Sequence, residues 1–215
     1  MTTVKLITLT EPRSAAAEGY RTLRTNLIFS GVERSLATLV ITSPSSVENK
    51  SQVLANLAVT FAQAGNKTII VDADLRTPTQ HTIWGVSNAR GLTTMMLEPE
   101  ALAMPPLVDT GVENLSLLPS GTLPPVPADL FSSQRMSEVL GVLKARANYV
   151  LFEAPPVLTA TDAALLAARL DGTLLVVKTG GTRRDHLARA REELKRVNAR
   201  VLGAVLTDAA RDSVS

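Results

Sequence analysis

Lys50 and Ser51 stand where an apolar strand-like run, Ala37 to Thr42, passes into a helix-like run, Gln52 to Ala64. An ammonium followed by a hydroxyl at such a junction resembles the end of a phosphate-binding loop, G-x-x-x-x-G-K-[ST]. In that loop glycines let backbone N–H groups converge on phosphate, the lysine meets its charge and the hydroxyl reaches Mg²⁺. Here the joining stretch Ser43 to Gln52 reads SPSSVENKSQ, with Pro44 and Asn49 at the two glycine positions and no glycine between Gly31 and Gly65. Alone, the Lys-Ser pair reads as the solvated start of a helix. A nucleotide site would need acids from elsewhere in the chain.

Such acids lie just after other apolar runs. One run ends in Asp72-Ala-Asp74-Leu-Arg76-Thr-Pro78, another in Glu153-Ala-Pro-Pro156 with Asp162 a little further on, and the last in Thr207-Asp208. Each acid taken singly reads as a turn former or helix cap. Several of them at adjacent strand ends, facing one lysine, fit a Mg²⁺-nucleotide site, in which hard oxygen ligands hold the metal while lysine and backbone N–H groups hold phosphate.

The elements that would position these residues alternate. Strands are expected at Ala37 to Thr42, Lys67 to Asp72, Asn114 to Leu118, Tyr149 to Glu153, Thr173 to Lys178 and Arg200 to Thr207. Helices are expected at Gln52 to Ala64, Ala128 to Arg146, Thr161 to Leu170 and Arg183 to Val197. After a short extended start, Ser14 is placed to cap a helix running to about Phe29, with Tyr20, Leu23 and Leu27 on one side. Glu18, Arg21 and Arg24 step by three along a neighbouring stripe. They read either as intrahelical pairs worth ~0.2–0.5 kcal/mol each or as a subunit contact. Strands of nearly continuous Val, Ile and Leu are those covered on both faces, so the fold class is α/β: a mostly parallel central sheet with helices on both faces. Ligands in such sheets bind beyond the carboxyl ends of the strands, where all the candidate residues lie.

Composition sets the limits. A length of 215 residues with 45 % apolar content suits one α/β domain. The formal charge of +2 is no nucleic-acid footprint, and the basic run from Arg183 to Arg200 alternates with acids as a solvated helix face does. Without cysteine there is no disulfide framework or thiolate metal site. No apolar stretch approaches the ~18 residues of a membrane span, so a soluble, cytoplasmic chain is expected. His81 and His186 are isolated, and neither G-x-S-x-G nor a cysteine nucleophile occurs, which leaves nucleophilic hydrolase chemistry unsupported. The proline-rich stretch Pro119 to Pro127 reads as a fixed turn before the Ala128 helix.

Across about Thr10 to Thr207 the chain resembles the cytoplasmic ATPase domain of bacterial tyrosine kinases (BY-kinases), relatives of MinD/ParA-like P-loop ATPases. The resemblance rests on Glu18-Gly-Tyr-Arg-Thr-Leu-Arg-Thr-Asn-Leu27, Ile41-Thr-Ser-Pro44, Lys50-Ser51, Ala55-Asn-Leu-Ala58, Ala62-Gln-Ala-Gly65 and Ile70-Val-Asp-Ala-Asp-Leu-Arg76 with Pro78. Further matches are Gly91-Leu-Thr93, Leu117-Pro-Ser-Gly121, Pro124-Pro-Val-Pro127, Ala154-Pro-Pro-Val157 with Asp162-Ala163, and Val201-Leu-Gly-Ala-Val-Leu206.

The resemblance implies one nucleotide-binding domain over residues 1–215. Residues 1–33 would carry an oligomerisation helix, 34–208 the core and 209–215 a short tail. It implies ATP or ADP with Mg²⁺, held by Ser45, Ser46, Val47, Glu48, Asn49, Lys50, Ser51 and Gln52, with Thr207 near the base. Ser51, Asp72 and Glu153 would meet the metal, Lys50, Asp72 and Asp74 would serve catalysis, and Glu18, Arg21 and Arg24 would mediate ring-like self-association. The implied partner is the cytoplasmic tail of a membrane-embedded chain-length regulator of capsular or exopolysaccharide export, which places the chain in the cytoplasm against the inner face of the membrane.

Four departures from the family pattern bear on catalysis. The loop P-G-E-G-K-S-T is replaced by Ser46-Val-Glu-Asn-Lys-Ser-Gln52. Val47 is poorly suited to φ > 0, whereas Asn49 could keep a left-handed geometry. Glu153 replaces an aspartate and is one methylene longer; Thr207 replaces an asparagine. The segment Ala209 to Ser215 holds no tyrosine, the only ones being Tyr20 and Tyr149. The expectation is a regulatory or scaffolding protein with weak or lost catalysis. An active kinase or ATPase acting in trans is the alternative. A MinD/ParA-type positioning ATPase ranks third, because Ser45 stands where that group carries a signature lysine.

Overall fold

The computed structural model describes residues 5–32, 34–46 and 48–209 of the chain. Along it run α1 (Ile7–Thr10), α2 (Ala15–Ser30), β1 (Thr38–Thr42), α3 (Lys50–Gln63), β2 (Thr68–Asp72), α4 (Gln80–Trp84), α5 (Leu92–Leu97), α6 (Glu100–Ala103) and β3 (Val108–Asp109). There follow β4 (Leu115–Leu118), α7 (Pro127–Ser132), α8 (Gln134–Lys144), β5 (Tyr149–Glu153), α9 (Asp162–Ala167), β6 (Gly172–Lys178), α10 (Arg184–Arg196) and β7 (Val201–Thr207).

The strands form one sheet in the order β3-β4-β2-β5-β1-β6-β7. Every pairing is parallel except that of the short edge strand β3 with β4. Alternate side chains of each inner strand enter different layers, as a two-residue repeat requires. Val40, Ile69, Val71, Val150 and Phe152 pack with α5 and α7 to α10 through residues such as Met95, Phe131, Val139, Leu166 and Leu194. Leu39, Ile41, Ile70 and Leu151 pack on the other face with α3 and with Leu27 and Ile83. Two apolar layers thus sandwich the sheet, which explains why β1, β2 and β5 carry no polar alternation. Among the described residues no helix is long and apolar enough to cross a membrane.

The sheet and its principal crossover helices match the sequence expectation; the short elements α4, α5, α6 and β3 were not anticipated, and three expected features differ. The start is not extended, since Ile7–Thr10 forms a helical turn whose Thr8 N–H and hydroxyl both donate to Asn56 Oδ1 of α3. The helix expected from Ala128 to Arg146 is divided at Ser133, whose extended backbone (φ −72°, ψ 160°) ends α7 and begins α8. A Ser-Ser pair offers the backbone competing hydrogen bonds: Ser132 and Ser133 both donate their hydroxyls back to main-chain carbonyls, which breaks the helix there. The helix expected to reach Leu170 stops at Ala167.

The turn after Pro119 is fixed by close packing. Leu92 N and Thr93 N donate to the carbonyls of Pro119 and Ser120. A Cβ on Gly91 would fall 2.0 Å from the Pro119 oxygen, so only glycine lets these backbones meet.

Candidate functional site

The carboxyl ends of β1, β2 and β5 bring Lys50, Ser51, Asp72, Asp74 and Glu153 together. β2 and β5 are in register at their last residues, Asp72 opposite Glu153, and β1 lies on the other side of β5. The β1–α3 connection delivers Lys50 as the first residue of α3. Asp72, Asp74 and Glu153 are fully buried and Lys50 is 8 % exposed. Four ionisable groups are therefore withdrawn from water at one point, and each needs a partner.

Lys50 supplies most of the answer. Its Nζ donates to Asp74 Oδ2 at 2.9 Å and to Glu153 Oε1 at 2.7 Å. Burial alone pushes the ammonium toward losing its proton, but Glu153 and Asp74 outweigh burial and hold its pKa above the ordinary lysine value. Ser51 Oγ also donates to Glu153 Oε1, and receives a bond from Thr79 Oγ1. The other oxygen of Glu153 accepts from Gln80 Nε2 at 2.7 Å. That amide nitrogen also lies 3.0 Å from the carbonyl of Ser51, while Gln80 Oε1 accepts from Trp84 Nε1. Asp74 further accepts from the backbone N–H groups of Arg76 and Thr77.

Asp72 differs from its neighbours. Its Oδ2 accepts from the N–H groups of Thr79 and Gln80 at the start of α4, but Oδ1 is buried without a partner. Its pKa is raised well above the ordinary carboxylate range, first by burial and then by the negative charge of Glu153 beside it; the bond from Gln80 N–H opposes the rise.

The loop before Lys50 is held by its own side chains. Ser43 Oγ donates to the Ser45 carbonyl, and Ser45 Oγ donates to Glu48. Glu48 is itself buried and accepts from Thr182 Oγ1, at 2.6 Å, in the loop after β6. Ser46, Asn49 and Gln52 are exposed. Asn49 does not take the left-handed conformation anticipated for it: φ is −83° and ψ 48°. The missing glycine at this position therefore costs no backbone strain. Val47 lies outside the described residues. Thr207 ends the edge strand β7, with its hydroxyl turned back on Val177 O at 3.5 Å. Asp162 is fully buried and paired with Arg76, its Oδ2 receiving Nε at 2.9 Å.

The α2 residues are remote from this cluster. Glu18 and Arg21 pair with each other at 2.6 Å, and Arg24 turns inward to donate to the Thr60 carbonyl of α3 at 2.8 Å.

Gln80, Thr79 and Thr182 escaped the sequence reading. No spacing rule marks them, although Thr79 and Gln80 follow Asp72 closely enough for a turn to return their N–H groups to its carboxylate.

A Mg²⁺ ion does not fit these residues as arranged. Asp72 Oδ1 is open, but both oxygens of Glu153 and the Ser51 hydroxyl are already engaged by Lys50, Gln80 and Thr79. Among the described residues no group of three acids is disposed around a common metal position.

No protein-family model matches the chain. The fold is nonetheless that of a P-loop NTPase-like α/β protein. The chain is 40 % identical over 201 residues to tyrosine-protein kinase YwqD of Bacillus subtilis, covering 94 % of this chain and 84 % of that one. It is 35 % identical to the putative tyrosine-protein kinase CapB of Staphylococcus aureus, covering 91 % and 86 % of the two chains. The kinase domain of the Escherichia coli tyrosine kinase ETK superposes with a TM-score of 0.91 at 26 % identity, covering all of this chain and 84 % of that one. The chain belongs to the bacterial tyrosine-protein kinase family, the BY-kinases.

Proposed function

We propose that this chain is a regulatory or scaffolding BY-kinase-like subunit of a bacterial polysaccharide synthesis or export system, with weak or lost ATP-dependent catalysis. The observation that carries the reading is the engagement of Lys50. The side chain that would meet phosphate is buried and bonded to Asp74 and Glu153 at 2.9 and 2.7 Å. A phosphate would have to draw the ammonium away from two charge-assisted bonds in a site of low dielectric. The loop offers little in exchange, because it has no glycine to open its backbone and encloses the Glu48 carboxylate.

In this role the chain works in the cytoplasm at the inner membrane face. It docks on the cytoplasmic tail of a chain-length regulator and self-associates through the α2 face bearing Glu18, Arg21 and Arg24. ATP or ADP with Mg²⁺ is the ligand its family implies, bound weakly if bound at all. Purified protein incubated with ATP and MgCl₂ should hydrolyse at background rate and acquire no phosphotyrosine. Hydrolysis that disappears in Lys50→Ala would overturn the reading.

An active kinase acting in trans on another protein is the second reading. The convergence of Lys50, Ser51, Asp72, Asp74 and Glu153 on one point favours it. Calorimetry with ADP and Mg²⁺ at millimolar concentration decides, since an absence of binding heat removes this possibility.

A further inference from the structure

Three carboxylates at the ends of β2 and β5 share one cation of the protein's own. Asp72 and Glu153 are opposite one another in the sheet, Asp74 follows two residues later, and all three are fully buried. Lys50 Nζ lies between Glu153 and Asp74 within hydrogen-bond distance of both, and Asp72 keeps an oxygen that nothing else satisfies. An ammonium carries one charge and three donors on a flexible stem, so two acids can be bonded and a third left over. A small divalent ion asks more: two charges' worth of compensation and six oxygens near octahedral positions. The cluster is built for the first and not for the second.

We infer that Lys50 stands in the place of a divalent metal, as an internal counter-cation that closes the Asp72, Asp74 and Glu153 cluster against Mg²⁺. Replacing Lys50 by an uncharged residue removes the cation that keeps Mg²⁺ out, and lets the acid side chains, no longer drawn to an ammonium, turn toward a metal ion. Removing the ammonium leaves three buried acids with uncompensated charge, plus the Ser51 hydroxyl at their edge. Relief then comes from proton uptake by the acids or from a bound metal, and free energy gained from a ligand that binds only the folded form appears as stability. This inference rests on reading the cluster as an altered nucleotide site. Its test uses the metal alone, so that ATP hydrolysis by the unmutated protein would sink the reading of lost catalysis without touching the result for the metal.

The experiment is thermal unfolding of the full chain at matched ionic strength, with MgCl₂ at 10 mM or with a chelator. The unmutated protein should melt at the same temperature in both, within about 1 °C. Lys50→Met should melt roughly 10 °C lower in chelator, because a buried pair has lost one partner. MgCl₂ should then restore at least about 3 °C of that loss, the shift expected of metal at some ten times its Kd. Adding Asp72→Asn to Lys50→Met should abolish the response to Mg²⁺. If Lys50→Met does not fold, Lys50→Gln, which keeps an amide donor toward Glu153, takes its place. Stabilisation of the unmutated protein by Mg²⁺ as large as that of the variant overturns the inference, as does indifference of the folded variant to Mg²⁺. A response that survives Asp72→Asn overturns the assignment of the site.

Discussion

Two charged triplets, each placed by the sequence at a position suited to function, have opposite physical characters. Lys50, Asp74 and Glu153 meet at the strand ends with 0–8 % exposure, held by strands β2 and β5 and by the first turn of α3. Glu18, Arg21 and Arg24 lie on α2, where the Glu18 side chain is 66 % exposed and that of Arg21 31 %. Their closest ion-pair distances are much alike, 2.7 Å for Lys50–Glu153 and 2.6 Å for Arg21–Glu18. Distance therefore says little about what either contributes. In the first triplet water cannot replace a lost partner, so each group depends on the others. In the second, water and salt stand ready to replace either partner of the Glu18–Arg21 pair, which is worth ~1 kcal/mol at most. The buried triplet is thus able to govern the state of the site. The exposed one can govern only what approaches the surface.

The sharpest way to break that contrast is at Asp74. Its oxygens receive Lys50 Nζ, the N–H groups of Arg76 and Thr77 and the Thr77 hydroxyl. Asp74→Ala is expected to cost about 3–5 kcal/mol in urea unfolding, the range for one partner removed from a buried pair. Asp74→Asn keeps an oxygen for the two backbone donors and loses the charged acceptor that faces Lys50 and the Thr77 hydroxyl, so it should cost measurably less. Equal losses in the two variants would show that the ion pair alone, and not the backbone bonds, holds the cluster.

The difference between the triplets was only half legible in the sequence. Continuous apolar runs ending in Asp72 and Glu153 were enough to place both acids at the carboxyl end of one parallel sheet, because strand order and crossover handedness leave few alternatives. What those acids would bond to was not legible. The acids were expected to face Lys50, but its direct bonds to Asp74 and Glu153 depend on rotamers, and Gln80 and Thr79 reach the cluster through a turn with no periodic signature. Asn49 shows the same limit: its residue type suggests left-handed torsions, but the actual φ is −83°. On α2 the three-residue spacing correctly put Glu18 beside Arg21. It could not show that Arg24 is drawn inward by the Thr60 carbonyl, since that depends on how α2 crosses α3.

Asp171 lies between the two extremes and tests whether the contrast is graded. One oxygen, Oδ2, accepts from the N–H groups of Ala37 and Thr38 and from the Thr38 hydroxyl, tying the end of α9's loop to the start of β1. Burial pushes its pKa up, but the bonds from Thr38 and Ala37 and the nearby Lys144 outweigh this and hold it below the ordinary carboxylate value. A carboxyl with a lowered folded pKa contributes stability that is complete above its unfolded pKa and is lost as pH falls through the folded one. Asp171→Asn should therefore cost about 1 kcal/mol at pH 7. The two stability curves should converge as acid takes the solution below the usual carboxylate range near pH 4. A gap that stays constant with pH would mean that shape, not charge, holds this corner.

The smallest effect is expected at Glu18. Its carboxylate pairs with Arg21 one turn along α2 in full view of solvent, and Arg21 also donates to the carbonyl of Pro12. Glu18→Gln keeps the size and helix propensity of the side chain and removes one exposed charge, so unfolding free energy should change by less than about 0.5 kcal/mol. If this face joins subunits, the same substitution should lower the assembled fraction in sedimentation velocity, most clearly at low salt, where exposed charges act over the longest distance. A surface charge that leaves stability alone and shifts assembly is serving a contact between molecules. An assembly profile identical to that of the unmutated chain would reduce Glu18 and Arg21 to an intrahelical pair with no part in contacts between molecules.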